Sequence, residues 1–141
     1  FIELMPDYEV LQQNLMSNDA DLQEIFSLSI NLLSHINQQI VALYDRDHQI
    51  GHSYLMCMSE AADAEEATES LIFAWYHEIL PLLQEYFYDV PAKLEKILGK
   101  EFVEVDGRSF RFRDPLYGND FIQACSRLVE KTKAESTGGM P

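Results

Sequence analysis

The stretch "YDRDHQIGHSYLM", residues 44–56, gathers the side chains of this chain best suited to chemistry. Asp45, Arg46, Asp47, His48, Gly51, His52, Ser53 and Tyr54 fall within one helix length. Metal binding, nucleophilic catalysis and a ligand-facing join between two helices all use such residues. A metal would draw on Asp45 and Asp47 for oxygen ligands, and on His48 and His52 for nitrogen ligands. Four-residue spacing places two imidazoles on one helix face. Gly51 lies between them, however, no H-E-x-x-H pattern is present, and no third ligand is suitably spaced. No metal is expected at residues 45–52. Ser53 beside His52 lacks the elbow of a serine nucleophile, and Cys57 is placed on an apolar face. No glycine-rich phosphate loop of the G-x-x-x-x-G-K-[ST] kind occurs anywhere in the chain. On spacing alone the stretch reads as a helix end, a turn at Gly51 and a new helix start.

Long helices must position that turn. Leu22, Phe26, Ser29, Leu33, Ile36, Ile40 and Leu43 recur at alternating four and three spacing, widened by Ile25 and Leu32. This predicts one amphipathic helix over residues 19–44, of bundle rather than coiled-coil type. A short helix from "PDYEVLQQNLM" precedes it, and Ser17, Asn18 and Asp19 are cap candidates. Asp63 and Glu66 form a capping-box-like start to a second long helix at 64–88. Its predicted face is Leu71, Trp75, Ile79, Leu82 and Tyr86, with a bend at Pro81. Tyr86, Phe87 and Tyr88 are read as packing residues, and His35 and His77 as ordinary, partly buried helix residues. "VPAKLEKILG" reads as a short helix ending at Gly99.

"EFVEVDGRSFRFR" alternates, with Asp106-Gly107 as the predicted two-residue turn. That register sets Val103 opposite Phe110, and gathers Val103, Val105, Phe110 and Phe112 on one helix-covering face. A last helix follows in "NDFIQACSRLVEKTK", with Phe121, Ile122, Cys125, Leu128 and Val129 as its stripe. The expected fold class is mainly α: a helical bundle with one C-terminal β-hairpin.

The chain has 141 residues, 47% hydrophobic, enough for one packed domain. Its net charge of −14 argues against a nucleic-acid surface, which needs clustered cations. No apolar run reaches the roughly 20 residues of a membrane span. Cys57 and Cys125 read as buried free thiols of a reducing compartment, so a cytoplasmic location is expected. Phe1 opens the chain without an initiating Met, as expected of a piece of a longer protein or a processed chain.

Three segments resemble the end of the AAA+ NTPase module of the McrB family, the motor subunits of methylcytosine-dependent restriction systems. They are "FIELMPDYEVL", "LLSHINQQIVALYDRDHQIGHSYLM" and "FAWYHEILPLLQEYFYDVPAKLEKILG". The resemblance covers residues 1–99 in order, and the D-R-D-H-x-I-G-H-S-Y and P-L-L-Q-E-Y-F-Y runs are its specific parts. It implies that residues 1–5 end the last strand of an upstream AAA+ core. Residues 6–99 would be the helical lid, 100–131 a hairpin plus helix, and 132–141 a disordered tail. The parent would hydrolyse GTP or ATP with Mg2+, as a hexameric ring that works with a McrC-like nuclease subunit. DNA would be handled by other parts of the parent, without membrane contact. No catalytic residue and no cofactor are expected in this piece alone.

Many AAA+ lids carry a G-x-R element whose arginine, termed sensor 2, reaches the nucleotide phosphates. "IGHSY" resembles that element in place but has no Arg two residues after Gly51. The resemblance therefore makes Arg46, His48, Gly51, His52, Ser53 and Tyr54 the nucleotide-proximal candidates. A non-enzymatic acidic helical module that binds a protein partner is the alternative function.

Overall fold

The computed structural model describes residues 7–138, with side chains described for 7–130. The strand end expected at residues 1–5 lies outside the described residues, as do residues 139–141. Helix α1 (Tyr8–Asn14) starts where the Asp7 carboxylate accepts from the Val10 amide at 3.1 Å. Helix α2 (Ala20–Leu43) starts at Asp19, whose carboxylate accepts from the Asp21 and Leu22 amides. Both caps satisfy donors that a helix leaves open at its first turn.

Helix α2 is the central strut of the fold. It packs against α1, α3, α5 and α6, which explains why its buried stripe is broad. The stripe runs from Leu22 through Ile25, Phe26, Leu32, Leu33 and Ile36 to Ile40. Polar groups on it are satisfied, as burial requires. The Ser29 hydroxyl donates to the Ile25 carbonyl, and His35 Nε2 bonds the Ile97 carbonyl at 2.9 Å. His35 is thus fully buried rather than partly so.

The second long helix is built in three parts: α3 (Ala64–Ala74), a π turn (Trp75–Ile79) and α4 (Leu80–Phe87). Asp63 caps it by accepting from the Glu66 amide, and Glu66 reaches back to the Ala62 amide. The π turn corrects the expected face. Leu71, Trp75 and Ile79 are buried as predicted, but Leu83 and Phe87 then replace Leu82 and Tyr86. The wider turn carries one extra residue, so every later side chain moves one position in phase. It precedes Pro81, whose missing N–H and bulky ring disfavour a regular turn there.

Helix α5 (Pro91–Leu98) leads to strands β1 (Val103–Asp106) and β2 (Ser109–Phe112). The register is Val103↔Phe112 and Val105↔Phe110, so the turn is Gly107-Arg108, not Asp106-Gly107. Gly107 takes φ +63 while no non-glycine residue has positive φ among the described residues. Glycine first in the loop suits the type II′ turn, whereas the expected turn demanded positive φ at Asp106. A slip of two residues leaves each side chain on its face, so the predicted apolar face survives. The observed register also sets Glu104 against Arg111, which bond at 2.8 Å. Gly107→Ala is expected to lower stability by about 1 kcal/mol through backbone strain alone. A Cβ there meets nothing within 4 Å. The urea midpoint checks this, and an unchanged midpoint would contradict it.

Helix α6 (Gly118–Gly138) buries Phe121, Ala124 and Cys125 against α2 and α3. It continues well past residue 131, because extending an existing helix avoids the cost of nucleating one. The Tyr76 hydroxyl accepts from the Leu116 amide at 2.9 Å and ties the loop before α6 to the π turn.

Candidate functional site at the corner after the central helix

The corner begins where α2 ends. Lys93 Nζ donates to the Leu43 carbonyl at 2.9 Å, filling one of the acceptors open at a helix C-terminus. Asp45 then caps a single 3-10 turn, Arg46–His48. Its carboxylate accepts from the His48 amide at 2.9 Å and lies 2.6 Å from His48 Nδ1. The His48 hydrogen bond holds the Asp45 carboxyl below the usual carboxylate range, opposed by desolvation. The His48 ring also packs on Tyr44 at 4.4 Å and meets Tyr86 edge-on at 5.0 Å. His48 is therefore engaged in structure, with its Nδ1 facing Asp45 and its ring inside an aromatic cluster.

Asn37 positions the next residues. Its side-chain amide accepts from the Ile50 amide at 2.7 Å and donates to the Ile50 carbonyl at 3.0 Å. It also donates to the Tyr8 hydroxyl at 3.0 Å. One buried side chain thus closes both polar groups of Ile50 and joins α1, α2 and the corner. Sequence reading passed over Asn37, Tyr8 and Lys93. A signal for Asn37 was present: it is a polar residue set directly between Ile36 and Ile40 of the stripe.

Gly51 follows in extended backbone, φ −70, and precedes a 3-10 helix, His52–Glu60. No side chain caps the start of that helix. His52 Nδ1 accepts from the Asp7 amide at 3.2 Å, so the corner is tied to the residue that starts α1. Ser53 is exposed, Tyr54 is half-buried against the core, and Arg46 is exposed. Three residues per turn bury Leu55 and Met58 and turn Cys57 outward. The expectation of two buried thiols holds for Cys125 and fails for Cys57. Partial burial, and next Glu78, push the Cys57 thiol up, away from reactivity.

His48 and His52 lie in separate 3-10 segments with different partners, so their spacing of four does not create a shared face. Among the described residues no three His, Cys, Asp or Glu side chains gather as a metal set requires. Backbone amides at the uncapped helix start, with Ser53 and Arg46 exposed nearby in sequence, suit an anion instead. The corner is also accessible: Leu33, Ile36 and Ile40 are 2%, 1% and 0% exposed, while Gly51, His52 and Tyr54 are half-buried and Ser53 is open. No helix among the described residues is long and apolar enough to cross a membrane.

Comparison with known proteins adds two findings. Residues 28–95 match the family model of the McrB alpha-helical lid domain. Over 104 residues the chain is 29% identical to the type IV methyl-directed restriction enzyme EcoKMcrB subunit of Escherichia coli strain K12. That match covers 71% of this chain and 22% of the length of that relative.

Proposed function

Residues 28–95 are a McrB-family lid region, and from that premise we propose that the chain closes over the nucleotide of a McrB-like AAA+ GTPase or ATPase. In this reading the nucleotide sits between an upstream AAA+ core and the Gly51–Tyr54 corner, as ligands do at domain interfaces. Mg2+ would be held by residues of the upstream core and would supply charge neutralisation at the phosphates there. The lid's part is positioning. Its uncapped amides face the anion, and Asn37 keeps them in place through Ile50. The parent assembles as a hexameric ring and drives a McrC-like nuclease subunit, with DNA bound by other parts of the parent, all in the cytoplasm.

The observation that carries this reading is the His52–Asp7 hydrogen bond. It joins the corner to the residue that caps α1, next to where the upstream core would end, so movement of one moves the other. Arg46, His48, Gly51, His52, Ser53 and Tyr54 are the nucleotide-proximal candidates, with His48 held in place by Asp45 and Tyr44.

The test uses the full-length parent with two variants. His52→Ala removes the acceptor for the Asp7 amide; His52→Asn offers an oxygen in its place. Losing one such bond is worth about 1 kcal/mol, or about fivefold in rate if it is expressed in closure. The expected result is a fall of that size for Ala, with Asn close to the parent rate. A lower melting temperature with unchanged turnover per folded enzyme would show His52 to be structural only, and overturn the reading.

A further inference from the structure

We propose that the groove between the N-terminal ends of α2, α3 and α6 is a docking surface for a basic amphipathic helix of a partner protein. The groove measures about 490 Å³. Asp21 and Glu24 of α2 and Glu65 and Glu69 of α3 line it. Ile25, Ile72 and Ile122 form an apolar floor, and Tyr117, 68% exposed, stands at one edge. No Lys or Arg lines it. Among the described residues none of the four carboxylates is in an ion pair.

Helix electrostatics explain part of this. Asp21 and Glu65 lie in first turns, where the helix dipole favours acids. Glu24 and Glu69 lie beyond those turns and gain no such benefit. Nor does a dipole explain an exposed tyrosine beside three isoleucines.

The charge of the chain is divided. Residues 1–92 hold 16 of the 24 acids and only one of the 10 Lys and Arg, Arg46. The groove lies largely in that acidic part. Nucleic acids and anionic membranes are repelled by such a rim. A second copy brings a net charge of −14, and its hairpin Arg111 and helix Arg127 are already paired with Glu104 and Glu101. Charge complementarity therefore selects a cationic partner, and the floor selects apolar anchors. An amphipathic helix with Lys or Arg flanking large aliphatic residues meets both demands.

The probe is a synthetic helix of about 18 residues, with Leu at i, i+3, i+4 and i+7 and Lys elsewhere. Its binding to the full chain is measured at physiological salt by fluorescence anisotropy. Glu24→Gln with Glu69→Gln is compared with Glu85→Gln plus Asp89→Asn, an exposed pair outside the groove that removes the same charge. The groove pair is expected to weaken binding about tenfold, the outside pair less than about twofold. Tyr117→Ser is expected to weaken it about fivefold. Circular dichroism checks that each variant folds. Absent binding, or equal weakening by both charge pairs, overturns the proposal. Self-association of the chain that the groove pair abolishes also overturns it, by making a second copy the occupant.

Discussion

Replacing Asn37 with Ala is expected to destabilise the chain by about 3 kcal/mol. Asn37 is 1% exposed, and so is Ile50, whose amide and carbonyl it serves. Truncation leaves both groups without their partner in a site closed to water. Each unpaired buried group costs about 1–3 kcal/mol, well above the value of an exchanged hydrogen bond. Urea unfolding reads this as a lower midpoint at unchanged slope. Tyr8→Phe is the internal comparison. It removes the third Asn37 bond and a hydroxyl contact with Ser34, at a half-buried site, and is expected to cost about 1 kcal/mol. Equal losses from the two variants would refute the assignment of Asn37 as the clamp of the corner.

Trp75→Ala is expected to lose about 4 kcal/mol, roughly a quarter or more of the 5–15 kcal/mol usual for a domain. The indole is fully buried at the start of the π turn and meets Phe102 at 5.2 Å and Phe121 at 6.4 Å. These edge-on contacts join the second long helix, the residue before the hairpin and α6. Removing the ring opens a cavity that three elements would have to collapse to fill. Trp75→Phe behaves differently. Trp75 Nε1 has no hydrogen-bond partner among the described residues, so phenylalanine removes a desolvated donor along with some volume. The two effects oppose, and a loss of about 1 kcal/mol is expected. Comparable losses for Ala and Phe, measured by thermal and urea unfolding, would contradict this account of the core.

The parts of the fold legible in the sequence were those set by local rules. The stripe from Leu22 to Ile40 declared α2, and Asp19 and Asp63 declared helix starts by residue type alone. What was not legible depended on small changes of backbone period. A fixed period of 3.6 cannot reveal the π turn, so the second helix was read in correct phase up to Ile79 and one residue out of phase after it. The hairpin face was readable from alternation, but its register was not, since a shift of two residues leaves the alternation intact. Cys57 was misplaced because a 3-10 helix buries every third residue, which its sequence does not announce. At the corner, Gly51 between His48 and His52 already spoke against a shared helix face, and its backbone is extended there. The clamp through Asn37 joins residues 13 apart along the chain, and the His52–Asp7 bond joins residues 45 apart. Neither pairing leaves a local signature.

In the proposed function the Gly51–Tyr54 corner meets the nucleotide. Amide hydrogen exchange of the full-length parent tests it most directly, with and without a saturating non-hydrolysable nucleotide and Mg2+. The amides of His52, Ser53 and Tyr54 are predicted to exchange more slowly when nucleotide is bound, while the buried stripe at Leu33, Ile36 and Ile40 is unchanged. Exchange at the corner that is indifferent to saturating nucleotide would contradict the claim.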